Sequence, residues 1–325
     1  DDLFSLLDGR EYQKDNNLLF KLKPDISFSW AYDILHKTGP EGWRKRSDKS
    51  KANELGKDTL KIIAVGDSCT FGLGCPSFKT YTAILENLIN SSTRYKAKVY
   101  NYGVPGYTSF QCRKLLEEVM PVLEPYAVIC YIGANDGARA LEYSDKEYYE
   151  ILQANNKSFI FRLIKNSKVF NLLKTLRYRR QISEIKKAIG QLSQNVDWFS
   201  FSFPDLVDKF EERGVRLPSN IFNKKRVSLE EFRENIKSMK QLTQNYDAFF
   251  VYVPNVWNNG KSYSYAEDYL IFDFLDVMTQ IKKYRIEDVY IDSVHLSEKG
   301  HSVIAGMIFD RLFGGDKSLA FFNSN

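Results

Sequence analysis

The chain has 325 residues, 43% of them apolar and 27% charged, with 23 Phe and 20 Tyr. That composition excludes collagen-like, linker and disordered character and is enough for a substantial core without staples. A net charge of +5 is too mild to imply a nucleic-acid partner, and no DNA- or RNA-binding motif accompanies it.

The length suits one core domain carrying a sizeable insertion. Residues 1–60 are polar, mixed and weakly periodic, and read as an N-terminal extension packing on the core; Gly39, Pro40 and Gly42 punctuate a loop there. From 61 the pattern changes. KIIAV (61–65) is a short apolar run stopped by Gly66, which suits a buried parallel strand. TYTAILENLIN (80–90) has helical spacing, and KVYN (98–101) is a second strand stopped by Gly103, Pro105 and Gly106. SFQCRKLLEEVM (109–120) predicts an amphipathic helix ended by Pro121, and AVICYIG (127–133) a third buried strand. Strand, helix, strand, helix, strand is the pattern of a parallel α/β sheet.

The pattern breaks over 140–225, where helical stretches occur without a strong strand; this reads as a helical insertion over one end of the sheet. Within it, 158–181 is amphipathic and basic. Its main reading is a helix packing its apolar face on the core, and its second is peripheral contact with an anionic membrane. SLEEFRENIKSMKQLTQNY (228–246) predicts a helix with Ser228 and Glu231 as a capping box. AFFVYV (248–253) is a fourth strand, 267–284 a helix, VYI (289–291) a short strand and 297–313 the closing helix, leaving 314–325 as a tail.

Four motifs fall at strand ends, where open α/β sheets bind ligands. Ser68, in AVGDSCTFG, lies in a Gly-flanked turn between strand and helix, which exposes its hydroxyl as an acyl-transfer nucleophile requires. The glycines of NYGVPGYTS (101–109) let the backbone approach a substrate and offer an amide to an oxyanion. Asn135, after the third strand, can present a side-chain N–H to the same oxyanion. Each of these, taken alone, also fits an ordinary turn or cap. Asp292 and His295, three residues apart in DSVHLSEKGH, are spaced so that the carboxylate reaches Nδ1 while Nε2 faces a nucleophile. The other two histidines are His36, in the irregular N-terminal region, and His301, inside the closing helix where a packing role fits, so His295 is the well-placed base.

Together these blocks resemble the SGNH hydrolases, the GDSL-type esterase and lipase family, over roughly 61–140 and 226–312. The resemblance implies a flavodoxin-like three-layer α/β/α sandwich with a mainly parallel central sheet. It implies Ser68 as nucleophile, His295 as base and Asp292 as its orienting partner. It also implies an oxyanion hole from the Ser68 amide, the Gly106 amide and the Asn135 side chain; Gly106 is preferred to Gly103 because it stands just before YTS. EGWRKR (41–46) looks like the GFR segment of larger bacterial members, and RVSLEEFRENI (226–236) like their returning helix. Tyr107 and Cys69 depart from the family pattern.

The implied activity is serine-dependent hydrolysis of an acyl ester, such as an O-acetyl group on a carbohydrate or a small acyl ester. An acyltransferase using the same residues toward a glycan or lipid-linked acceptor is the alternative, and a non-catalytic binding module on the same fold a second one. The chemistry needs no metal or organic cofactor. The four cysteines form no C-x-x-C pair, which argues against zinc and leaves small buried thiols as the main reading. Arg139 and Arg226 are read first as salt-bridge partners and second as contacts for an anionic substrate group. No apolar run is long enough to span a bilayer. The chain starts at Asp1 without Met, which fits either a shortened chain or a processed one that has lost a signal or anchor; the compartment is left open, with a cell-envelope or extracytoplasmic location as one reading.

Overall fold

The computed structural model describes residues 11–29, 31–46, 56, 58–140, 143–157, 224–255 and 277–314. They fall into two units, one drawn from 22–136 and 229–325, the other from 1–21 and 137–228.

The larger unit opens with a hairpin, β1 (Ser27–Ser29) against β2 (Leu35–Lys37). The sheet follows: β3 (Leu60–Gly66), β4 (Ala97–Gly103), β5 (Ala127–Ile132) and β6 (Phe249–Pro254), all parallel, in the order β4-β3-β5-β6. The interleaved helices are α1 (Ser68–Phe71), α2 (Tyr81–Ser92), α3 (Ser109–Leu123), α4 (Leu229–Gln244), α5 (Val277–Ile281), α6 (Ile286–Val289) and α7 (Glu298–Phe313). The chain begins the sheet at β3, steps to β4, then crosses to the other side of β3 for β5. The carboxyl end of β3 is therefore the switch point of the sheet, and Ser68 follows it directly.

Strand alternation divides the core. Ile62 and Ala64 of β3, Ile129 and Tyr131 of β5, and Val251 and Val253 of β6 join one cluster with Tyr81, Leu85 and Ile89 of α2 and Ile304, Ile308 and Leu312 of α7. The intervening Ile63, Val65, Val128, Cys130 and Ile132 are fully buried on the opposite side, where α3 and α4 pack together. Such near-continuous burial is what a parallel sheet covered on both faces requires.

Two expectations need correction. Pro121 does not end its helix; α3 runs on to Leu123, with Glu124 in a left-handed C-cap whose N–H reaches the Met120 carbonyl. A proline so near a helix end removes only one intrahelical bond, so the last turn survives. Residues 289–291 add no strand to the sheet. Val289 closes α6, and only Tyr290 makes an isolated bridge, to Leu296. The Ile291 N–H instead closes on the His295 carbonyl at 3.0 Å. The chain folds into a tight loop because Asp292 Oδ1 accepts the Val294 and His295 amides at 2.8 and 2.7 Å.

A hairpin of Tyr12–Asp15 with Leu19–Leu22, all but Leu22 of it in the smaller unit, is turned by Asp15 Oδ1, which accepts the Asn17 and Leu18 amides, each at 2.9 Å. Arg139–Ala140 pairs antiparallel with Lys224–Lys225, and helix Asp145–Lys157 starts at a reciprocal Ser144–Glu147 box. Arg226 is engaged there by Asp145, through Nη2 at 2.8 Å and Nε at 3.1 Å. The basic stretch 158–181, with the membrane contact suggested for it, lies outside the described residues.

Gly66 and Gly103 are register partners at the ends of β3 and β4. A Cβ on Gly66 would lie 2.2 Å from the Tyr131 carbonyl oxygen, and one on Gly103 2.2 Å from the Phe71 nitrogen. These bare strand ends let α1 lie across the sheet. Gly103→Ala should lower stability by about 1–3 kcal/mol, because the obstructing atoms are backbone and cannot swing aside. Urea unfolding would show a lower midpoint at unchanged slope; an unchanged midpoint would mean α1 shifts freely.

Candidate active site

Helix α1 is a single turn punctuated at both ends. Asp67 Oδ1 caps its start by accepting the Cys69 amide at 2.8 Å. Gly72 ends it at φ 77°, with its N–H on the Ser68 carbonyl. Ser68 thus occupies the first helical position, where the backbone N–H has no intrahelical acceptor, and its side chain is half-buried.

Opposite it, the loop after α6 presents His295. His295 Nε2 lies 2.8 Å from Ser68 Oγ, and His295 Nδ1 lies 2.6 Å from Asp292 Oδ2. A carboxylate on Nδ1 keeps the proton there and leaves Nε2 as the acceptor for the serine hydroxyl. Asp292 is largely buried. Burial alone would raise its carboxyl, but the hydrogen bond and charge of His295, the Tyr32 hydroxyl and the His295 amide outweigh it and hold it well below the ordinary carboxylate range. The structure therefore brings Ser68, His295 and Asp292 into one hydrogen-bonded chain.

Gly106 sits at φ 86° in a turn closed by the Tyr107 N–H on the Val104 carbonyl at 3.0 Å. Pro105 precedes it, the pairing a type II turn favours. The Val104 amide is tied to the Gly66 carbonyl at 3.0 Å, so the turn hangs from the end of β3. Asn135 Nδ2 donates to the Tyr107 carbonyl at 3.0 Å. That fastens the Asn135 carboxamide beside the Gly106 turn. Gly103 is spent on packing against α1, as its contact with Phe71 shows.

Several groups close to the site carry little signal in the sequence. Asn255, the residue after β6, donates through Nδ2 to Asp67 Oδ2 at 3.4 Å and to Cys69 Sγ at 3.2 Å. Its one available cue is a polar residue directly after a buried strand. Asp67 is fully buried, which pushes its carboxyl up to about 6 despite the Cys69 amide, His295 and Asn255. Arg44, from EGWRKR, is buried and donates to the carbonyls of Phe71, Gly72 and Cys75 at 2.6, 2.8 and 2.5 Å, bracing the end of α1. Tyr32 donates its hydroxyl to Asp292 Oδ2. His301 is buried, with Nδ1 accepting the Tyr81 amide at 3.3 Å, and His36 is buried against Phe28 and Phe71. Cys69, Cys75, Cys112 and Cys130 are free and buried. Among the described residues no three His, Cys, Asp or Glu side chains gather as a metal site, and no helix is long and apolar enough to cross a membrane.

The sequence profile of the GDSL-like Lipase/Acylhydrolase family matches residues 64–303. No curated protein matches the chain. Among solved structures the chain is similar to TesA, at 13% identity and a TM-score of 0.45, covering 78% of this chain and 99% of that one. It is similar to a lipase/acylhydrolase from Enterococcus faecalis, at 14% identity and 0.45, covering 79% and 96%. It is also similar to a catalytic mutant of Axe2, an acetylxylan esterase from Geobacillus stearothermophilus, at 15% identity and 0.44, covering 80% and 97%.

Proposed function

The chain belongs to the GDSL-like Lipase/Acylhydrolase family, a family of ester-hydrolysing enzymes, and from that premise we propose that Ser68, His295 and Asp292 cleave an acyl ester through a covalent acyl-enzyme. The observation that carries the reading is the chain of contacts from Ser68 Oγ through His295 to Asp292, at 2.8 and 2.6 Å.

Ser68 Oγ attacks the ester carbonyl while His295 Nε2 takes its proton. The imidazolium so formed is held by the ionised Asp292, then returns the proton to the leaving alcohol. Water enters, His295 takes a proton from it, and the serine ester is hydrolysed to release the acid. Charge developing on the carbonyl oxygen in both steps is met by the Ser68 amide, the Gly106 amide and the Asn135 side chain. Asn135→Ala should lower kcat by about 10²–10³ with little change in KM, because the lost donor serves the transition state more than bound substrate. Equal kcat in that variant would remove Asn135 from the oxyanion site.

The substrate proposed is a small acyl ester, with an O-acetyl group on a carbohydrate as the natural form to test. p-Nitrophenyl acetate, butyrate and octanoate measure acyl preference directly. A burst of one p-nitrophenol per chain, then a slower steady rate fastest for acetate, is the expected result. Turnover with no serine ester formed, or a preference for octanoate, would contradict the mechanism or the acyl class respectively.

A further inference from the structure

The Asp292 carboxylate has more partners than His295 alone. Oδ1 accepts the Val294 and His295 amides, and Oδ2 accepts both His295 Nδ1 and the hydroxyl of Tyr32. Tyr32 lies 260 residues away in the sequence, at the tip of the β1–β2 hairpin. Its backbone is left-handed, at φ 78° and ψ 11°, and Asp33 beside it is left-handed as well, at φ 52°. Two adjacent non-glycine residues in that region are unfavourable and persist only where the surroundings hold them.

Those surroundings are visible. Phe28 of β1 stacks on Phe71 with ring centroids 6.1 Å apart, and His36 of β2 meets the same ring at 5.3 Å. Arg44 lies 4.5 Å over the Phe71 ring while donating to the carbonyls that end α1. The hairpin is thus bolted to the helix that begins with Ser68. At its tip, Gly74 leaves the room that the Tyr32 ring fills, for a Cβ there would lie 2.8 Å from Tyr32 Cδ2 and 2.3 Å from Ile291 Cδ1.

We propose that Tyr32 is a positioning residue of the hydrolytic site, whose hydroxyl shares Asp292 Oδ2 with His295 Nδ1 and fixes the carboxylate against the imidazole. The assignment rests on the serine-esterase reading above. With two donors on each oxygen, Asp292 cannot rotate away from His295, and the imidazole is held in line with Ser68. In this role Tyr32 acts through Asp292, the group its hydroxyl meets.

The test is a double-mutant cycle on p-nitrophenyl acetate with wild type, Tyr32→Phe, Asp292→Ala and the double variant, each rate divided by active sites titrated. Ser68→Ala runs beside them. Tyr32→Phe, which keeps the ring and removes only the hydroxyl, should lower kcat about 10-fold with KM and Tm unchanged. In the Asp292→Ala background the same change should have no further effect. A purely structural tyrosine would lower Tm or titratable sites instead, and its effect would persist without Asp292; either result overturns the assignment. Wild-type kcat in Tyr32→Phe, with turnover lost in Ser68→Ala, would overturn the role of Tyr32 and leave the serine mechanism standing. Wild-type turnover in Ser68→Ala would overturn both.

Discussion

Ser68→Ala is expected to lower kcat about 10⁶-fold on an activated acetate ester, and His295→Ala by a similar factor. The reason is geometric. Ser68 Oγ meets His295 Nε2, the proposed acceptor of its proton, at 2.8 Å, so the proposed acyl-enzyme should fail to form without either group. Asp292→Ala should cost less, about 10⁴-fold, since the imidazole remains but loses the partner that fixes its proton on Nδ1. As the proposed mechanism makes the three groups one device, Ser68→Ala combined with His295→Ala should be no worse than either alone. Residual rate above buffer in these variants would come from the donors around the Gly106 turn and Asn135. Steady-state rates on titrated enzyme check the order; an Asp292→Ala variant slower than His295→Ala would reverse the roles.

The second large effect is on stability against acid. His301 and His36 are both held neutral by burial, with the nearby Arg44 charge adding to it, and both are lowered from 6.5 to about 3. The unfolded chain therefore binds more protons than the folded one between those values, and stability drops as pH falls through that window. At about 1.36 kcal/mol per pH unit, the fully buried His301 alone carries on the order of 5 kcal/mol, against a typical total of about 5–15. Asp67 has the opposite sign. Its folded value is raised from 3.8 to about 6, so its contribution is present at low pH and lost as pH rises through 6. It offsets part of the histidine loss between 6 and 4 and none below. Asp292, held low, adds a loss that begins below its ordinary 3.8. Urea midpoints measured from pH 7 to pH 4 should fall, His301→Gln should flatten the fall, and Asp67→Asn should steepen it. A level midpoint in the wild type, or the same slope in His301→Gln, would contradict this balance.

What could be read in the sequence follows from where physical patterns are local. KIIAV, AVICYIG and AFFVYV announce buried strands because a parallel strand covered on both faces has no polar side. Ser68, Asn135 and the Asp292–His295 pair are legible because each stands at the end of such a strand or beside the closing helix. Residues 289–291 have strand composition and predict a short strand, but Val289 closes α6, and Asp292 captures the Val294 and His295 amides and turns the chain. Tyr32 was illegible. It comes from a short hairpin of weak period, in a backbone conformation tyrosine seldom adopts, and its partner is 260 residues on. Arg44 could be seen only as part of EGWRKR; its three carbonyl partners around α1 belong to tertiary structure.

In the proposed mechanism Ser68 Oγ is the nucleophile and His295 the base that arms it. A fluorophosphonate, which traps an activated serine, followed by mass analysis of the intact and digested chain, tests it most directly. One adduct per chain is expected on the peptide carrying Ser68, none in Ser68→Ala, and labelling slowed by orders of magnitude in His295→Ala. An adduct on another residue, or labelling of Ser68 at an undiminished rate without His295, would contradict it.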